Sequence, residues 1–204
     1  MRIALFIVAL LMPALALAGP GTDTVRKGNQ RFQDLLSRKA EPGSAAESKL
    51  AAELTSDMRE LFDIEGMVEQ ALVDHWKDMK PAERQEVVSI LRAIIERAYV
   101  KQLRANFKYQ VTYDSESQKG ESTNVVTTVK AERKGRPVAI GITYVLHPKA
   151  GKLRVYDVIT DDVSMLKNYR SQFNRIIAKE GVAGLLAKMR KKLAADDTAT
   201  QKTQ

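Results

Sequence analysis

Few residues of this chain stand where they could make or break bonds. It has two histidines, His75 beside Trp76 and His147 beside Pro148, and no cysteine. Neither histidine falls in a metal-ligand spacing such as H-E-x-x-H. Without cysteine there is no thiolate nucleophile, no thiolate metal ligand and no disulfide. His75 reads as a partly exposed helix residue rather than a general base, and His147 falls in an expected hairpin turn. Ser164 lacks the G-x-S-x-G context of an activated serine and reads as a helix N-cap. Asp161-Asp162 could hold a cation, but paired carboxylates ahead of a helix usually serve its dipole. The sequence has no Gly-rich phosphate loop. An enzyme is disfavoured, and no cofactor or metal is implied.

The elements that must carry these residues follow from hydrophobic period. Thr22 to about Lys39 reads as a helix with Val25, Phe32, Leu35 and Leu36 near one stripe. Glu41-Pro42-Gly43-Ser44 breaks it, and the Ala/Leu/Glu-rich run from Ala45 to about Leu61 favours helix again. Phe62 to Gly66 reads as a turn before a short helix from Met67 to Trp76. Pro81 at a first helical position, with Glu83 in the first turn, opens a long helix to about Leu103.

The period then changes from helical to alternating. Phe107, Tyr109, Val111 and Tyr113 form one row, and Val125, Thr127, Val129 and Ala131 a second. Val138, Ile140, Ile142, Tyr144 and Leu146 form a third, and Leu153, Val155 and Ile159 a fourth. The short polar connections have hairpin chemistry, so four strands form an antiparallel meander, covered on one face and solvated on the other. Helices from Ser164 to about Lys179 and from Val182 to about Leu193 close the chain, and 196–204 reads as a disordered polar tail. Helices, sheet, then helices make an α+β domain, with helices on one face of a curved four-stranded sheet in an NTF2-like manner.

Met1-Arg2, the apolar run Ile3 to Leu17 and the small-x-small site Ala16-Leu17-Ala18 read as a secretory signal peptide cleaved after Ala18. The run is shorter than the ~20 residues of a membrane span. About 186 residues remain, enough for one core, so 19–195 is expected to be one domain. There are 33 Lys plus Arg against 25 Asp plus Glu, and losing Arg2 takes the formal charge from +8 to +7. An exported basic protein meets no genome, so nucleic acid is excluded as a partner. Anionic lipid surface or an acidic protein fits better.

The stretch Asp157 to Phe173 passes from strand through a polar turn into a helix that puts Leu166, Tyr169, Phe173, Ile176 and Ile177 on one face. Its Asp157-Val158, Val163-Ser164 and Tyr169-Arg170-Ser171-Gln172-Phe173 resemble the D-V-x-x-x-x-V-S-x-x-x-x-Y-R-x-Q-F passage of the MlaC, or toluene-tolerance, family. Phe62-Asp63-Ile64, Trp76, Pro81-Ala82-Glu83-Arg84, Tyr99, Val155-Tyr156-Asp157-Val158 and the Gly181 to Leu193 helix fall in the same order. The chain departs from that pattern at Asp162, where the family usually has Gly, at Leu153, often aromatic, and at Val87 and Val88, where Phe is common.

The resemblance implies a soluble periplasmic carrier with bound phospholipid as its cargo. It further implies exchange with an outer-membrane lipoprotein–porin complex and an inner-membrane ABC transporter, in service of outer-membrane lipid asymmetry. On that reading Phe107, Tyr109, Val111, Val129, Ile140, Ile142 and Tyr144 form one wall of a lipid pocket, and Leu166, Tyr169 and Phe173 cover it. Periodicity alone does not separate such a pocket from an ordinary filled core. A secreted, non-enzymatic structural or interaction domain is therefore the alternative, and a chaperone for apolar segments a third. Arg170 either meets a headgroup phosphate or pairs with a carboxylate such as Asp157. The cluster Lys188, Arg190, Lys191 and Lys192 either balances a helix C-terminus or makes transient contact with anionic membrane.

Overall fold

A computed structural model describes residues 19–104, 109–133 and 135–201. The expected signal peptide and Phe107 lie outside the described residues. Helix α1 (Pro20–Ser37) opens on a proline and buries Val25, Leu35 and Leu36. Its start is tied to the sheet, because Glu116 accepts the backbone N–H groups of Gly21 at 3.2 Å and Thr22 at 2.7 Å. Helix α2 (Ala45–Leu61) starts where expected. Ser44 Oγ accepts the Glu47 N–H at 3.1 Å, and the Glu47 carboxylate accepts the Gly43 N–H at 2.8 Å, a variant of the capping box.

The next helix differs from expectation. Helix α3 runs Ile64–Ala71, so Ile64, Glu65 and Gly66 are its first turn rather than a preceding loop. Asp63 explains the shift: its side chain accepts the Gly66 N–H at 3.0 Å and caps the helix. A glycine is needed there because a Cβ on Gly66 would collide with that carboxylate. The helix ends at Ala71, and His75 and Trp76 sit in the following turns. Trp76 packs under Arg84, 5.3 Å from guanidinium to ring centre. Helix α4 (Pro81–Arg104) follows, with Val87, Leu91 and Ile94 buried.

The strands are β1 (Tyr109–Lys119), β2 (Ser122–Arg133), β3 (Arg136–Lys149), β4 (Lys152–Thr160) and β5 (Val163–Ser164). They pair antiparallel in chain order, one more strand than expected. The fifth arises because Asp161 and Asp162 take positive φ (45° and 65°) and turn the chain back along β4. That left-handed conformation is one that glycine would adopt without strain. His147 lies within β3, not in a turn, since the hairpin bends at Ala150-Gly151. Bulges at Asp114 in β1 and Tyr156 in β4 interrupt the pairing, and such extra residues increase local twist.

Val125, Thr127, Val129, Tyr144, Leu146 and Val155 are buried on the helix-facing side of the sheet. Helix α5 spans Met165–Gln201 and is interrupted at Gly181 (φ 68°, ψ −179°), giving the two closing helices expected. Its second half runs on to Gln201, past the expected stop at Leu193 and into the segment read as a disordered tail. No Gly or Pro follows Leu193 to break it. Both halves of the architecture, helices and meander, make one α+β fold.

Candidate functional site

Between the sheet and helices α1, α2 and α4 lies an open, mainly apolar cleft of about 530 Å³. This is within the ~300–1,000 Å³ range of ligand pockets. The sheet contributes Tyr109, Val129, Ile142 and Tyr144, staggered on one face of β1, β2 and β3. Helix α1 contributes Gly28, Asn29 and Phe32, and helix α2 contributes Leu54, Asp57, Met58 and Leu61. Phe62 and Tyr99 complete it. Tyr99 stands edge-on to Phe32 at 5.6 Å between ring centres and tilted against Phe62 at 6.2 Å.

The cleft's polar atoms are few. Burial pushes the phenols of Tyr99, Tyr109 and Tyr144 upward, so each is a neutral hydroxyl. Asn29 donates to the Tyr113 hydroxyl at 3.2 Å and also lies by the Tyr144 hydroxyl. Asp57 lies 3.6 Å from Arg31, its side chain 31% exposed. Apolar walls with sparse neutral donors suit an extended apolar ligand carrying a few polar atoms.

The other residues singled out from the sequence are placed differently. Val111 and Ile140 flank Val129 in one cross-strand row but do not line the cleft. Leu166, Tyr169 and Phe173 do not cover it. Phe173 is buried in the core, with Tyr169 5.5 Å away, because α5 packs on α3 and α4. The cover comes instead from the start of the chain, α1 and α2. Sequence reading found the Phe32 stripe, Phe62 and Tyr99, but nothing in their spacing pointed them at the sheet. Gly28, Asn29, Asp57 and Met58 gave no signal.

Arg170 does not pair with Asp157. Its Nε and a terminal nitrogen donate to the Gln70 carbonyl at 3.1 and 2.6 Å, tying α5 to the C-terminal end of α3. Asp157 accepts from Ser164 and the Leu166 N–H instead. Ser164 does cap the helix, accepting the Lys167 N–H at 3.0 Å. In the C-terminal cluster, Arg190 bonds Glu86 at 2.6 Å and Lys188 pairs with Glu180 at 2.9 Å.

A second cleft of about 380 Å³ shares Met58 and Phe62 with the first and is far more charged. Most of its charges are engaged: Arg59 with Glu96 at 2.7 Å, Lys149 with Asp63 at 2.6 Å, and Arg154 with the Arg59 and Glu60 carbonyls. Asp63 also lies 2.8 Å from His147 Nε2, which gives that histidine a structural partner. Among the described residues no group of His, Asp and Glu could hold a metal ion.

The family model for the MlaC protein matches residues 27–191, from the first turns of α1 to near the end of the chain. The chain belongs to the MlaC family. No curated protein matches it. Among solved structures it is similar to the phospholipid-binding protein from Ralstonia solanacearum in complex with a phospholipid, at 18% identity and TM-score 0.69. The match covers 88% of this chain and 99% of that one. At that identity the likeness establishes the fold, and this MlaC-family chain therefore shares the α+β architecture of that protein.

Proposed function

We propose that this MlaC-family chain is a periplasmic phospholipid carrier, exported with cleavage after Ala18. Its cleft encloses acyl chains while the headgroup stays toward water. The observation that carries this reading is the open apolar cleft between α1, α2, α4 and the sheet, in a chain of this family. A carrier is physically required because each methylene exposed to water costs about 0.8 kcal/mol, so two acyl chains together cost more than ~20 kcal/mol. Among the described residues no helix is long and apolar enough to cross a membrane.

The lipid-contacting residues in this reading are Tyr109, Val129, Ile142 and Tyr144 from the sheet and Phe32, Leu54, Met58 and Tyr99 from the helices. The carrier hydrolyses nothing. It exchanges cargo with an inner-membrane ABC transporter and an outer-membrane lipoprotein–porin complex, so maintaining outer-membrane lipid asymmetry. The net positive charge supports brief contact with anionic bilayers on the way.

Native mass spectrometry of the protein purified from its host, followed by lipid extraction, tests the central claim. Bound phospholipid is the expected result. A protein that emerges empty, and stays empty after mixing with phospholipid vesicles, leaves the filled-core interaction domain as the better reading.

A further inference from the structure

The cleft combines apolar walls with hydroxyls that have hydrogen-bonding capacity to spare. Tyr99 lines it, and among the described residues its hydroxyl has no hydrogen-bond partner. Its contacts are instead the rings of Phe32 and Phe62. On the facing sheet, the Tyr144 ring lines the same space, with its hydroxyl beside the Asn29 side chain. Asn29 is oriented as a donor, since its amide nitrogen lies 3.2 Å from the Tyr113 hydroxyl. A phenol hydroxyl carries one hydrogen of its own to donate. Two phenol hydroxyls thus stand on opposite walls of a space whose lining is mainly apolar, Leu54, Met58, Val129 and Ile142 among it, with Tyr109, Asn29 and Asp57 as its other polar residues.

The matching ligand atom is an acceptor carried among hydrocarbon. A carboxylate fits poorly: it would enter beside Asp57, which lines the same cleft, with neutral hydroxyls as its partners there. An ester carbonyl fits, being neutral, acceptor-only and attached directly to an acyl chain. We propose that the hydroxyls of Tyr99 and Tyr144 receive the ester carbonyls of the bound lipid, so that the cleft selects fatty-acyl esters over alkyl ethers. This rests on the carrier reading and adds to it the chemical class of linkage that the site distinguishes. The apolar walls hold either lipid equally, because acyl and alkyl chains of one length bury nearly the same hydrocarbon. Discrimination falls to the cleft's polar groups, foremost these two hydroxyls.

The test is competition for the delipidated mature protein between diacyl and dialkyl phosphatidylglycerol of equal chain length, supplied in mixed vesicles. Bound lipid is counted by mass spectrometry. The wild-type protein is expected to take the diester at least about fivefold over the diether, the worth of one neutral hydrogen bond. The double variant Tyr99→Phe/Tyr144→Phe should bring the ratio to about one. Tyr99→Phe alone removes no hydrogen bond within the described protein and should lower the ratio in part, which keeps the test decisive if the double variant folds poorly. A wild-type ratio near one, or a ratio that survives in the variants, overturns the inference while leaving the carrier intact. Uptake of neither lipid overturns the carrier reading itself, and the inference with it.

Discussion

The carboxylate of Asp157 on β4 accepts the hydroxyl of Ser164 at 2.6 Å, and through its other oxygen the backbone N–H of Leu166 at 2.9 Å. One buried acid thereby fixes the short strand β5 and the first turn of α5 together. Replacing it with alanine leaves a buried hydroxyl and a helix-start N–H without their acceptor, worth ~1–3 kcal/mol each. Asp157→Ala is expected to lower the thermal midpoint by several degrees, at ~2–4 °C per kcal/mol for a chain of this size. Differential scanning calorimetry measures it, and an unchanged midpoint would sink the assignment.

Acid should weaken the fold partly through Asp63. Burial opposes its charge, but the hydrogen bonds from Lys149, the Gly66 N–H and His147, with the Lys149 charge, outweigh it and hold the pKa below the usual aspartate value. A carboxyl depressed in the folded state contributes stability that is fully present above its unfolded pKa of ~3.9. That contribution is lost as pH falls through the lower folded pKa. Melting midpoints followed from pH 7 to pH 3 should drop at the acid end. Asp63→Asn should be less stable at pH 7 and show a shallower acid limb than the wild type.

A bulky side chain separates a cleft from a core. Ile142 lines the cleft, so Ile142→Trp is expected to cut bound phospholipid sharply while moving the denaturation midpoint little. Were the space filled by protein, the same insertion would cost ~1–3 kcal/mol through overpacking. Lipid content and urea midpoint, measured on one preparation, tell the two apart.

Arg170 supplies the opposite signature. Its guanidinium bonds the Gln70 carbonyl and lies outside the cleft lining. Arg170→Ala should loosen the α3–α5 junction, lowering stability by ~1–3 kcal/mol, with phospholipid per protein unchanged. Lost lipid at full stability would return this residue to headgroup recognition.

Gly181 carries a backbone conformation, φ 68° and ψ −179°, that essentially only glycine adopts. Gly181→Ala meets no atom within 4 Å, so any cost is conformational rather than steric. About 1–3 kcal/mol of destabilisation is expected, read by chemical denaturation. A neutral substitution would mean that the break in α5 lies elsewhere.

Periodicity and punctuation made most elements legible. Pro81 marks the start of α4, Ser44 caps α2, and the alternating rows from Tyr109 onward mark the strands. What stayed hidden was tertiary partnership. Gly66 reads as a loop residue until the Asp63 carboxylate is seen occupying the place of its missing side chain. Asp161-Asp162 reads as a charge pair, since no propensity places two adjacent non-glycine residues at positive φ. The sheet wall of the cleft was visible as an alternating row, because strand register carries it directly. The α5 face expected opposite it packs on α3 and α4, and α1, α2 and α4 line the cleft, because an apolar helix face says that it is covered and not by what.

The meander has a kinetic corollary. Each strand pairs with its neighbour in sequence, so the sheet assembles from short loop closures, the kind that form early. Helix α1 reaches the sheet only through partners far along the chain, such as Thr22 and Glu116, 94 residues apart. Such distant contacts cost the most chain entropy and come late. The cleft has no α1 wall until then, and a folding chain therefore passes through a stage in which the apolar sheet face is open on that side. That interval is when aggregation through the open apolar face competes with folding. The hydrogen bonds from Gly21 and Thr22 to Glu116 set how soon it closes.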